Sequence, residues 1–139
     1  MSKIVAGITT SVDGYITGPD DGPGCGLGVG GERLHYWVFG GPWSYESPGR
    51  GETSGEDKAF LDEMTGANGA VIAGRGTYEA AGYVDELTVI VAPVILGAGK
   101  RLFDGFTQSV DLEHLWVRQS RYATFIHYRV RQGQPCLTR

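Results

Sequence analysis

Ala70-Val71-Ile72-Ala73-Gly74-Arg75-Gly76-Thr77-Tyr78 decides the fold class. A short, continuous apolar run bounded by turn residues is the pattern of a strand buried on both faces. Gly74 then lets the backbone turn, and residues 78–81 can start a helix that Gly82 soon stops. A buried strand feeding a helix is the building unit of an α/β sheet. The turn also has chemistry. N–H groups at a helix start lack backbone partners, and the helix dipole favours an anion there. Arg75 adds a planar cation suited to phosphate, and Thr77 can cap the helix or bond a phosphate oxygen. From the residues alone, an anion site and a plain strand–helix turn with a solvated Arg75 are equally open.

Upstream, residues 3–10 read as a first strand, with Ile4, Val5, Ala6 and Ile8 apolar. Asp13-Gly14 is a turn dipeptide, followed by a short extended piece at Tyr15-Ile16. Residues 18–31 are rich in Gly, Pro and Asp and predict a flexible surface loop. Residues 32–39 predict a short helix with Leu34, Trp37 and Val38 on one side, ended by Gly40-Gly41-Pro42. Residues 43–51 form a second polar loop. Thr53-Ser54-Gly55-Glu56 fits a capping box, so a helix should run from Ser54 or Gly55 to about Gly66, with Phe60 and Met64 on one face.

Downstream, residues 87–96 read as a central strand, with a bulge or unpaired position expected at Pro93. A turn at residues 97–100 should return Leu102, Phe103 and Phe106 to the core. Residues 112–119 and 123–131 predict an antiparallel hairpin. In its second strand Ile126, Tyr128 and Val130 alternate with His127, Arg129 and Arg131, predicting one dry and one wet face. The fold expected is α/β: a mixed, mainly parallel sheet flanked by helices, with a C-terminal antiparallel hairpin. Residues 1–139 form one domain.

Composition narrows the function. Lys+Arg is 12 and Asp+Glu is 16, a formal net charge of −4, without the basic footprint of a nucleic-acid binder. Gly is 23 of 139 residues, about 17% against roughly 7% in average usage, which means turns, close backbone approaches or a mobile loop. No apolar run is long enough for a bilayer and no signal-peptide pattern is visible, so no membrane partner and a cytoplasmic location are expected. Cys25 and Cys136 are too few for a disulfide framework. His35, His114 and His127 lack metal-ligand spacing, so no metal is expected. Gly26, Gly28 and Gly31 match G-x-G-x-x-G, but no strand directly precedes them, which argues against a dinucleotide fingerprint. Trp37, Trp43 and Tyr45 could line a pocket for a flat ring or simply pack. Asp13, near the end of the first strand, reads from the residues alone as a turn residue.

Ser11-Val12-Asp13-Gly14-Tyr15-Ile16 after a first strand resembles the opening of the dihydrofolate reductase-like family. The closer resemblance is to the reductase domain of the bacterial bifunctional deaminase–reductase of riboflavin synthesis and its stand-alone relatives. Gly74-Arg75-Gly76-Thr77-Tyr78-Glu79 is similar to that family's G-R-x-T-Y-E motif. Residues 85–87 and 93–103 resemble its D-E-L … P-V-x-L-G-x-G-x-x-L-F segment. The resemblance implies an NADPH-dependent reductase acting on a small heterocyclic or carbonyl substrate, similar to 5-amino-6-(5-phosphoribosylamino)uracil reductase. It implies that Gly74, Arg75, Gly76 and Thr77 hold cofactor phosphates. It places Asp13 and Gly14 beside the substrate and nicotinamide, with Asp13 as a polar or proton-handling partner and Trp43 as a candidate ring contact.

One departure matters. In the family several dozen residues separate the G-R-x-T-Y-E and D-E-L segments, and they include further strands and a second cofactor-binding glycine pair. Here residues 79–85 join the two directly, an internal shortening between Glu79 and Gly82. The sheet is therefore expected to lose central strands. The alternative reading is a shortened, non-catalytic relative acting as a binding or oligomeric module, with a homodimer completing the exposed sheet.

Overall fold

Six consecutive residues of β1 (Val5–Thr10) are buried, which marks this strand as the centre of the fold. The computed structural model describes residues 5–46, 55–66, 71–73, 85–104 and 109–131. The further elements are β2 (Tyr15–Thr17), a 3-10 turn (Gly31–His35) running into α1 (Tyr36–Phe39), α2 (Gly55–Gly66), β3 (Val71–Ala73), β4 (Glu86–Val91), β5 (Lys100–Arg101), β6 (Leu112–Gln119) and β7 (Thr124–Val130). Five strands make one sheet in the order β3-β1-β4-β7-β6. β3 and β4 run parallel to β1 on either side; β7 is antiparallel to β4, and β6 to β7. The mixed sheet with a C-terminal hairpin is therefore present.

The sheet has no gap among the described residues. β1 pairs with β4 at six successive positions, from Val5↔Glu86 to Thr10↔Val91, and β4 pairs with β7 over its full length. The expected loss of central strands leaves no gap among the described residues; the free edges there are β3 and β6.

One sheet face carries Gly7, Thr9, Ile90 and Phe125, and α1 and α2 pack on it. Phe60 of α2 stacks on Phe125 with centroids 4.5 Å apart, and Trp37 of α1 meets Phe125 edge-on at 5.3 Å. Trp37, Phe60, Ile90, Ala123 and Phe125 form the buried cluster of this layer. Burying such side chains stabilises by roughly 1.5–3 kcal/mol each. The apolar spacing that predicted α2 is thus its contact face.

Four local expectations are corrected. β4 stops at Val91 rather than near residue 96, so Pro93 is the unpaired position of the two alternatives and not a bulge. There the Val94 N–H donates to the Ala92 carbonyl (2.7 Å), a tight turn that Pro93 can occupy because it has no N–H to satisfy. Residues 100–101 form β5, antiparallel to β2, rather than a plain turn. Leu102 is buried, but Phe103 is 40% exposed and does not return to the core. His127 is 8% exposed and not on a wet face. Its Nδ1 lies 2.6 Å from Thr88 Oγ1 and its Nε2 2.6 Å from Glu86 Oε1, while Trp116 stacks flat on the ring. Polar partners on the adjacent strand satisfy the imidazole and permit its burial.

Candidate active site

The Gly-rich segment 18–31 folds back on itself through backbone hydrogen bonds and forms a wall. The Gly18 N–H donates to the Leu27 carbonyl (2.7 Å) and the Val29 N–H to the Pro19 carbonyl (2.8 Å). At this neck a Cβ on Gly18 would collide with the Val29 carbonyl, and one on Gly28 (φ +76°) with the Gly18 carbonyl. Only glycine permits that approach. Tyr45 pins the same loop: its hydroxyl accepts from the Leu27 N–H (3.0 Å) and donates to the Gly28 carbonyl (2.8 Å). Desolvation pushes the Tyr45 phenol up to about 12, so it stays a donor at neutral pH.

This wall, β1, β2 and the helical layer border an open cavity of about 500 Å³. That volume lies in the range of small-molecule sites. Gly7, Thr9 and Ile90 contribute the sheet side, while Trp37, Leu61 and Met64 contribute the helical side. Gly7 leaves room above β1, where the Met64 sulfur would lie 3.1 Å from an added Cβ. Trp37 is oriented by its indole N–H, which donates to Thr9 Oγ1 at 3.1 Å. Lys100 Nζ donates to Asp21 Oδ2 at 2.9 Å, joining β5 to the loop beside the cavity.

Two further polar side chains, Thr17 and His35, face this cavity. Thr17 Oγ1 is buried without a hydrogen bond. The half-buried His35 imidazole also lines the cavity, at the end of the 3-10 turn, and desolvation lowers its pKa below the ordinary 6.5. Buried polar groups are normally satisfied, so the orphaned Thr17 hydroxyl, in a cavity also lined by the His35 ring, suits a ligand with a polar edge. A flat heterocycle such as a nicotinamide or a substrate ring fits that chemistry. Among the described residues no cluster of three or more metal-ligating side chains occurs.

The sequence-predicted residues fall elsewhere or outside the description. The carboxylate of Asp13 accepts from the Leu96 N–H (3.1 Å), the Gly97 N–H (2.8 Å) and the Ser11 hydroxyl (2.5 Å). The Ser11 hydrogen bond, aided by the two backbone donors, lowers its pKa to about 2. Asp13 thus ties the loop after β1 to the segment after β4 and does not line the cavity. Gly14, at φ +88°, accepts from the Leu102 N–H (3.0 Å) in the same junction. Trp43 packs between Phe39 and Tyr45, with its indole N–H buried and unpartnered, also outside the cavity lining. Gly74, Arg75, Gly76 and Thr77 lie outside the described residues. Sequence reasoning missed His35, Thr17, Asp21 and Lys100: Lys100 falls at an unspecified position of the 93–103 segment, the others belong to no motif, and only the fold brings their four segments together.

No family model matches the chain, and no curated protein matches it. Solved structures do. A riboflavin biosynthesis protein from Shewanella sp. PV-4 aligns with a TM-score of 0.50 at 14% identity, over 93% of this chain and 99% of that one. A diaminohydroxyphosphoribosylaminopyrimidine deaminase/5-amino-6-(5-phosphoribosylamino)uracil reductase from Thermotoga maritima aligns with a TM-score of 0.56 at 10% identity, over 93% of this chain and 56% of that one. RibD from Acinetobacter baumannii gives 0.52 at 13% identity, over 94% and 58%. At such identities the likeness is one of fold: the chain has the dihydrofolate reductase-like α/β arrangement of these proteins.

Proposed function

We propose that this chain is an NADPH-dependent reductase acting on a small heterocyclic or carbonyl substrate, in the manner of 5-amino-6-(5-phosphoribosylamino)uracil reduction. The observation that carries the reading is the cavity between β1 and the helical layer, with the unsatisfied Thr17 hydroxyl and the His35 ring in its lining. The fold shared with riboflavin-pathway proteins supports it. NADPH would supply a hydride; the chain binds, orients and excludes water. Leu61, Met64 and Trp37 provide the dry wall. Gly74, Arg75, Gly76 and Thr77 would hold the cofactor phosphates. Asp13 would act at the substrate end through the junction it holds, next to Gly14, with Trp43 supporting Tyr45 and hence the loop. A second copy would cover the β6 edge, where Leu112 and Val117 are 41% and 50% exposed, giving a cytoplasmic homodimer; sedimentation as a monomer would remove that part.

The test is a titration with NADPH, followed by energy transfer from tryptophan to the dihydronicotinamide. Wild-type protein should bind, and Arg75→Ala should bind at least about tenfold more weakly, as expected for loss of a charge-assisted phosphate contact. Absent binding, or equal binding in both proteins, contradicts the reading.

A further inference from the structure

We infer that His35 supplies the proton that accompanies hydride transfer, with Thr17 Oγ1 holding the heteroatom that receives it. This rests on the reductase reading above. Both side chains line the cavity, and Thr17 Oγ1 is buried there without a hydrogen-bond partner. The charged groups lining the cavity are Asp21 and Lys100, which are paired with each other. The α2 side of the lining offers only Leu61 and Met64. Asp13 is committed to three hydrogen bonds outside the lining and is fully ionised at neutral pH. An imidazole is therefore the one described group in the cavity lining that can lose and regain a proton near neutrality without breaking an ion pair.

The step balances as follows. NADPH, when bound, would supply the hydride that makes the C–H bond at the carbon of a C=N or C=O group and would leave as NADP+. The π pair moves to the nitrogen or oxygen, which takes the proton from the His35 imidazolium. The imidazole regains a proton from solvent. Thr17 Oγ1 donates to the same heteroatom and fixes its direction.

The experiment uses the full chain with NADPH, and 5-amino-6-(5-phosphoribosylamino)uracil as probe substrate. His35→Gln should bind NADPH within about twofold of wild type but transfer hydride about 100-fold or more slowly, losing the fall in rate as pH rises and the imidazolium is lost. Thr17→Val should raise KM while keeping the wild-type pH profile. Independently of turnover, the His35 ring resonance in histidine-labelled protein should shift when NADPH is added. If NADPH binds and that resonance stays fixed, or if His35→Gln keeps the wild-type rate and pH profile, the proton role is wrong and the reductase reading stands. If wild-type protein fails to bind NADPH, both fall.

Discussion

Replacing Thr9 by Val tests whether the cavity wall is held as described. Thr9 is 6% exposed, Trp37 is 3% exposed, and one hydrogen bond of 3.1 Å joins the indole N–H to Thr9 Oγ1. Valine keeps the shape and removes the acceptor, stranding a buried donor that costs about 1–3 kcal/mol. In a domain of this size each kcal/mol moves Tm by about 3 °C, so Thr9→Val should melt about 3–9 °C lower. Thr9→Ser keeps the acceptor and loses only a methyl group, about 0.8 kcal/mol. Trp37 also lines the cavity and leans on Phe60 and Phe125, so Thr9→Val should weaken NADPH binding while Thr9→Ser leaves it nearly intact. Thermal melts and the fluorescence titration report both effects. Equal melting of the two variants would refute the hydrogen bond's role in fixing the wall.

Further outcomes follow from the same contacts. Gly28→Ala should open the loop neck, because a Cβ there meets the Gly18 carbonyl at a positive φ; protease cleavage within residues 18–31 should speed up, and unchanged cleavage would contradict the interlock. Asp57, 5% exposed in the first turn of α2, has its carboxyl pKa raised by burial, with the Ser120 hydroxyl partly opposing. A raised carboxyl pKa means stability is present below the unfolded value near 3.8 and is lost as pH rises through the folded value. Asp57→Asn should flatten that loss, read as urea midpoints between pH 4 and 7; an unchanged slope would contradict it. His35 has the opposite sense: its lowered pKa gives stability present above about 6.5 that is lost as pH falls, and His35→Gln should remove this slope.

Most of the framework was legible where local pattern and tertiary role agree. Glu56, three residues after Thr53, and the Phe60/Met64 spacing located α2, because the packing face is also the periodic one. The hairpin strands were legible from alternation, and β6 has its expected bounds, 112–119. Alternation misled at His127, because the groups that make its burial tolerable sit about 40 positions earlier, at Glu86 and Thr88. β5 escaped notice because two residues carry no period, and their strand character comes from β2. The cavity was illegible for a related reason. His35 ends a 3-10 turn, Thr17 ends a short strand, and Lys100 and Asp21 meet across 79 positions. Asp13 stood out as a lone carboxylate, and its partners at Leu96 and Gly97 could be known only from the fold.

The most direct measurement is the NADPH titration itself, with tryptophan-sensitised emission as the signal. Saturable binding to wild type, weakened at least about tenfold by Arg75→Ala and retained in His35→Gln, is the predicted result. A flat titration in wild-type protein would contradict the central claim that this cavity belongs to a nicotinamide-dependent reductase.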